Sequence, residues 1–324
     1  MTKAIRIHKT GGPEVMQWED VEVPAPGPGQ ARIRHTAVGV NYVDTYYRSG
    51  LYPQQLPAII GGEGAGVVEA VGPGVSDVKV SDRVAYGNAP VGSYAEARII
   101  PADRLVKLPD GITDQQAASM MLKGLTTQYL IRSVYRVKSG DTILCHAAAG
   151  GVGLILGQWA KHLGATVIGT AGDADKAKLA KAHGYDHVIL YRDQNFVEEV
   201  KKITKGAGVP VVYDGVGKDT FMGSLDCLQP RGIMASFGSA SGPVPPVNLG
   251  ILAQKGSLFV TRPTLGTFVA KREDLVANSN ELFDVVKKGA VKIEINQTYP
   301  LKDAAKAHRD LESRKTTGST VLIP

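Results

Sequence analysis

The chain has 324 residues, 43% of them hydrophobic and 21% charged, and Lys plus Arg outnumber Asp plus Glu by 37 to 31, a formal net charge of +6. Such a chain buries a substantial core, enough for two domains or one large α/β unit, and has the make-up of an ordinary soluble globular protein. Two cysteines, Cys145 and Cys227, exclude a four-thiolate zinc lobe, and the scattered positive charge suits an anionic cofactor or nucleic acid without forming a long basic run.

In chain order, residues 1–20 mix charges with short apolar pieces, which argues against a secretory signal. No apolar run reaches the roughly 18 residues that suggest a bilayer span, so a cytoplasmic location is expected. Residues 1–120 carry short alternating strands such as ARIRHTAVGV and the glycine-rich GGEGAGVVEAVGPGV, punctuated by Pro24, Pro26, Pro28, Pro53, Pro57 and Pro73. This texture predicts a mostly antiparallel β domain.

From Asp141 the pattern repeats as apolar strand, turn and amphipathic helix, with strands expected at 142–147, 165–170, 187–191, 210–215, 232–238 and 257–261. Six short β-branched runs separated by helices predict a parallel, doubly wound α/β sheet covered on both faces. Gly164 and Gly184 stand where left-handed helix ends are expected, Asp173 reads as an N-cap, and both cysteines fall in segments read as buried strand and helix. After Arg262 a helix over 273–288, a strand near Ile293, a helix over 302–313 and a last strand, STVLI, complete the chain. This tail is too short to fold alone. It is expected to return to the first domain, so that a nucleotide-binding domain of residues 123–264 is inserted in a domain of residues 1–122 and 265–324, with a cleft between them. The strand SLFVT, last of the six, is expected at a sheet edge, open to pairing across a dimer.

The segment Ala148-Ala149-Gly150-Gly151-Val152-Gly153 matches G-x-G-x-x-G with alanine in the first place, between a strand and a helix. Glycine at 150 lets backbone approach a pyrophosphate, Gly153 allows close packing of helix on strand, and the helix N-terminus offers oriented N–H donors. An NAD-preferring loop carries an acid at the end of the next strand, where this chain runs Ile168-Gly169-Thr170-Ala171-Gly172. A carboxylate there would repel a 2′-phosphate. Its absence, with Lys176 one helical turn along and Tyr191-Arg192 ending the third strand, favours NADPH.

The stretches HAAAGGVGLILGQWAKHLGA, NYVDTYYRSGLYP, LKGLTTQYL, VVYDGVG, FGSASG, KGSLFVTRP and ESRKTTGSTVLIP together resemble the zinc-independent, zeta-crystallin-like quinone oxidoreductases of the medium-chain dehydrogenase/reductase superfamily. The resemblance implies a chaperonin-10-like barrel around a Rossmann domain, and a homodimer. It places NADPH against Asn41 and Asp44, against Gln128 or Tyr129 on the helix after Lys123-Gly124, and over Gly151 to Gly153. The adenosine phosphate is implied at Gly172, Lys176, Tyr191 and Arg314, and the nicotinamide at Phe237, Gly238, Ser239 and Ser241. Where zinc enzymes of the superfamily carry a Cys and a His, this chain has Asn41 and Gly62, so no Lewis acid is expected to ionise an alcohol.

Without a metal, the expected chemistry is direct hydride delivery to an acceptor that is already electrophilic, and quinones meet that demand. Asn41, Tyr46 and Tyr52 are the candidates for lining the acceptor site and stabilising its oxyanion; for the tyrosines, plain packing is the competing reading. Asp44 either fixes that loop or moves a proton, and none of the seven histidines has a spacing that singles it out. Reduction of conjugated enals or enones is the rival within enzymes. An NADPH-binding protein whose partner is RNA is the rival outside them, disfavoured by the lack of an arginine-rich or aromatic-interleaved basic stripe.

Overall fold

The computed structural model describes residues 1–88 and 90–324, and the chain divides into two compact units. The first takes residues 1–125, 268–287 and 293–324; the second takes 126–267 and 288–292.

In chain order come β1 (Thr2–Ile7), β2 (Met16–Val21), β3 (Gln30–Val40), α1 (Tyr42–Ser49), β4 (Ala58–Ile59), β5 (Glu63–Val71), β6 (Arg83–Gly87), β7 (Ala97–Pro101), β8 (Val106–Lys107) and α2 (Asp114–Tyr129). Strand β3 organises this unit. Its early residues alternate, Ala31 and Ile33 inward and Arg32 and Arg34 less buried, and from Ala37 onward it is wholly buried. Antiparallel β5 runs along one edge, with register shifts after Arg32 and His35. On the other edge β7 pairs with Gln30 to Arg34, and the chain's last strand takes Val38 to Val40. Bulges and a change of partner along one edge bend the sheet as a barrel requires. Helix α1 follows at once, capped by Asn41 and ended by Gly50 at φ 87°, a left-handed turn that glycine makes without strain.

The second unit contains β9 (Thr142–Cys145), α3 (Gly151–His162), β10 (Thr166–Ala171), α4 (Ala174–Ala182), β11 (His187–Leu190), α5 (Phe196–Ile203), β12 (Val209–Asp214), α6 (Phe221–Cys227), β13 (Leu228–Ser236), α7 (Gly250–Gln254) and β14 (Phe259–Thr261). The strand order is β11-β10-β9-β12-β13-β14 and every pairing is parallel. The six expected strands are present with shifted ends. The first stops at Cys145, because Ala147 turns to φ 54° and opens the loop before α3. The fifth begins at Leu228, across a register shift opposite Val209 and Val211, with Arg231 at φ 63°, an irregularity that residue alternation does not reveal. Gly164 and Gly184 take φ 87° and 92°, and Asp173 caps α4 by accepting from the Lys176 N–H. Cys145 and Cys227 are buried free thiols.

The chain closes with α8 (Leu265–Phe268), α9 (Arg272–Lys287), β15 (Ile295–Pro300), α10 (Ala304–Glu312) and β16 (Ser319–Ile323). Strand β16 fills the open half of β3 and pairs in parallel with β15. Helix α10 starts at Ala304 because Leu301–Asp303 forms a 3-10 turn. In the same unit, Ile5, Ile7, Val38, Ile60, Tyr94, Leu301, Ala307 and Leu322 share one core. Among the described residues, no helix is long and apolar enough to cross a membrane.

Candidate active site

Glycines in the first unit place a buried carboxylate under α2. A Cβ on Gly39 of β3 would lie 2.2 Å from Glu63 Oε2 and from the Ala118 carbonyl, and one on Gly87 of β6 would lie 2.6 Å from the Leu122 nitrogen. Helix α2 therefore presses on the sheet and delivers Lys123 to Glu63, which is fully buried. The ammonium lies 2.9 Å from Oε2; the Asn41 amide donates to the same oxygen at 2.8 Å and the Leu122 N–H to Oε1 at 2.8 Å. Thus Asn41 is held by its side chain as well as by its place at the head of α1. Gln128 and Tyr129 are buried at the end of α2, which contains Lys123 and Gly124 rather than following them. Burial pushes the Tyr129 phenol well above its ordinary range, with the Arg262 charge opposing.

Asp44 is the third residue of α1, and its Oδ2 accepts from the Asn41 N–H at 2.8 Å, half of a capping box. The same oxygen accepts from the Tyr94 hydroxyl at 3.0 Å, while Oδ1 is buried with no hydrogen-bond partner. Burial pushes the Asp44 carboxyl up to about 7, opposed by these two donors and by the Lys123 charge. Tyr46 is nearly buried, its ring 5.7 Å from that of Tyr42 and 5.3 Å from that of Tyr52, both edge to face. Tyr47 meets Tyr52 the same way at 5.5 Å. Asn41, Asp44, Tyr46 and Tyr52 are thus gathered on one helix and the turn after it. Arg314 belongs to this unit too, at φ 60° after α10, with its charge acting on Tyr42.

In the second unit, Gly150 caps α3, whose first N–H groups at Gly151, Val152 and Gly153 have no carbonyl a turn earlier in the helix to bond. A Cβ on Gly153 would sit 2.4 Å from the Ala147 carbonyl oxygen and 2.6 Å from that of Ala148, so only glycine lets the helix close on the loop. Beneath the loop, His146 bonds Thr170 Oγ1 and Ser224 Oγ, both at 3.0 Å, and Ser224 and Thr220 donate to Asp214. Burial lowers the His146 imidazole, so it stays neutral and ties together the ends of β9 and β10 and the start of α6.

At the end of β10 a Cβ on Gly172 would lie 2.9 Å from the Tyr191 hydroxyl and 3.6 Å from Arg192 Nε, which brings those three residues together. Tyr191 lies one residue beyond β11 and is exposed. The Lys176 ammonium is in the first turn of α4, 3.7 Å from Asp173 Oδ2. After β13, Phe237 packs where a Gly215 side chain would stand, and Gly238 closes against the Gly215 carbonyl. Ser241 bridges this loop to the one after β12, donating to the Val216 carbonyl at 2.9 Å and accepting from the Asp219 N–H at 3.0 Å. Arg262 clamps the loop, donating to the carbonyls of Ser236 and Gly238, both at 2.8 Å, and lying 3.3 Å from Ser239 Oγ.

Sequence reasoning left Glu63, Lys123, Arg262 and His146 without roles, because their partners lie 22 to 78 residues away. A buried-carboxylate signal was present only in the run of small residues around Glu63.

Profiles of known families match residues 27–110, as the alcohol dehydrogenase GroES-like domain, and residues 151–283, as zinc-binding dehydrogenase. Along its whole length the chain is 54% identical to a quinone oxidoreductase of Pseudomonas aeruginosa, with all of both chains covered. The chain belongs to the quinone oxidoreductase family. Within that family its fold is similar to the crystal structure of the Escherichia coli quinone oxidoreductase complexed with NADPH, at a TM-score of 0.98 and 51% identity over 99% of this chain and 100% of that one. It is also 48% identical to a 2-haloacrylate reductase of a Burkholderia species, over 100% of this chain and 99% of that one. The fold expected from the resemblance, a Rossmann sheet with a chaperonin-10-like domain, is borne out.

One of the two profiles is named for zinc. Among the described residues no three His, Cys, Asp or Glu side chains group so as to hold a metal. Glu63 is already bonded to an ammonium, an amide and a backbone N–H.

Proposed function

We propose that the protein is an NADPH-dependent quinone reductase that works by direct, metal-free hydride transfer. The observation that carries the activity is the end-to-end likeness to quinone oxidoreductases, including one whose structure holds NADPH. Once bound, NADPH supplies the hydride. The first turn of α3, at Gly150 to Gly153, takes the pyrophosphate on its N–H groups. Gly172, Lys176, Tyr191 and Arg314 take the adenosine 2′-phosphate, and the missing acid at the end of β10 removes the group that would repel it. Phe237, Gly238, Ser239 and Ser241, in the loop clamped by Arg262, line the nicotinamide, with Gln128 or Tyr129 as a further contact. Asn41 and Asp44 contact the cofactor from α1, while Asn41, Tyr46 and Tyr52 line the acceptor, a phenol or amide stabilising oxyanion character as hydride arrives.

Freedom from zinc is supported by the hydrogen bonds that Asn41, Lys123 and the Leu122 N–H already make to Glu63. Activity is expected to survive chelation, and loss of turnover with EDTA that zinc restores would refute this reading. The deciding assay compares turnover of 1,4-benzoquinone with that of 2-alkenals. Faster quinone reduction is expected; equal or faster alkenal reduction would favour the second reading, reduction of activated double bonds, which the 48% identity to a 2-haloacrylate reductase supports.

Homodimer formation and a cytoplasmic location complete the proposal. Strand β14 ends its sheet with Phe259 and Val260 exposed, an apolar edge suited to pairing. Two free buried thiols fit a reducing compartment. Light scattering is expected to give twice the chain mass, and Phe259→Asp to halve it.

A further inference from the structure

Helix α1 is laced to α10 by side chains far apart in sequence. Arg48, in the last turn of α1 and almost fully buried, donates from Nη1 to His308 Nδ1 at 2.9 Å and grips Glu312 with both terminal nitrogens, at 3.0 and 2.7 Å. His308 Nε2 lies 2.9 Å from the Tyr94 oxygen, and Tyr94 reaches Asp44 Oδ2. Each link has one permitted direction. A guanidinium only donates, so His308 Nδ1 must accept, and the neutral imidazole carries its proton on Nε2. Burial and the Arg48 charge lower His308 to about 3, which keeps it neutral. That Nε2–H donates to the tyrosine oxygen, and the phenol hydrogen is then directed at Asp44.

Oδ2 of Asp44 is therefore filled by two donors, Tyr94 and the Asn41 N–H. Whatever Asp44 does with a ligand it does through Oδ1, the buried oxygen without a partner. The charged and titratable groups that act on Asp44 are Tyr47 on α1, Glu63 on β5, Lys123 on α2 and Tyr94, and behind Tyr94 stand His308 and Glu312 on α10 with Arg48 on α1.

We propose that Tyr94, His308 and Arg48 are positioning residues for Asp44: their one-way chain fills Oδ2, leaves Oδ1 as the oxygen open to a ligand, and sets the pH at which that oxygen changes from donor to acceptor. The inference rests on the reading of Asp44 as a cofactor contact. A merely structural lacing would lower stability on mutation and leave the pH dependence of binding unmoved.

The test is the dissociation constant for NADPH, read from its fluorescence between pH 5 and 9. The wild type is expected to show an inflection near pH 7, as the Asp44 carboxyl does, and Asp44→Asn to lose it. Tyr94→Phe removes a donor to the carboxylate, so the inflection moves up by about one pH unit. His308→Gln, which keeps an acceptor for Arg48 and a donor for Tyr94, holds it near the wild-type position, whereas His308→Leu moves it upward. An unchanged pH profile in Asp44→Asn would overturn both the cofactor contact and the inference. A profile lost in Asp44→Asn but unmoved in Tyr94→Phe and His308→Leu would keep the contact and overturn the relay.

Discussion

Removing the Lys123 ammonium leaves Glu63 as a fully buried carboxylate supported, among the described residues, by the Asn41 amide and the Leu122 N–H. The Lys123 side chain is 7% exposed, so water cannot replace the lost partner. Breaking a buried pair from one side costs about 3–5 kcal/mol, because the surviving charge stays desolvated. Lys123→Met is therefore expected to lose about that much stability, and Glu63→Gln, which takes the carboxylate away from the ammonium, to be destabilising as well. The double variant leaves neither charge behind, so its loss should fall short of the sum of the single losses by about 2–3 kcal/mol. Urea unfolding measures this as midpoint shifts at constant slope. Additive losses, or single losses under about 1 kcal/mol, would mean that the pair is solvated and that Asn41 is not held by a buried carboxylate.

Lys176→Ala is expected to weaken NADPH binding about tenfold and leave NADH binding unchanged, since only the 2′-phosphate loses a charge partner; an unaltered ratio in titration would remove Lys176 from the site. Gly153→Ala drives a Cβ to 2.4 Å from the Ala147 carbonyl oxygen, so a loss of about 1–3 kcal/mol in thermal unfolding and weaker NADPH binding are expected. Asp44 has a folded pKa of about 7 against an ordinary 3.8, so between those values the folded state binds the extra proton and stability falls as pH rises. The cost is fully developed above pH 7 and amounts to about 4 kcal/mol for roughly three units. Asp44→Asn is expected to stabilise the protein at pH 8 and not at pH 4, and equal gains at both would contradict a buried titrating carboxyl.

The nucleotide unit was legible because its signals are local. Strand, glycine loop and helix N-terminus lie within a dozen residues, and Gly150, Gly153, Asp173 and Gly164 each act on backbone within a few residues of themselves. The shifted ends of β9 and β13 were not legible, because neither the positive φ at Ala147 and Arg231 nor the register shift opposite Val209 and Val211 follows from residue type.

Sequence by itself determined the fold class, the glycine loop between the first strand and helix of the parallel sheet, and the lack of an acid at the end of β10. Tertiary structure decided the electrostatics: that Lys123 neutralises Glu63 from 60 residues away, that Asp44 has one oxygen filled and one open, and that Arg48, 260 residues from His308, fixes the direction of the His308 hydrogen bonds. A carboxyl, an ammonium and an imidazole have near-standard properties in a chain surrounded by water. Only folding strips that water away and supplies particular partners, so their chemistry is a property of the packed molecule.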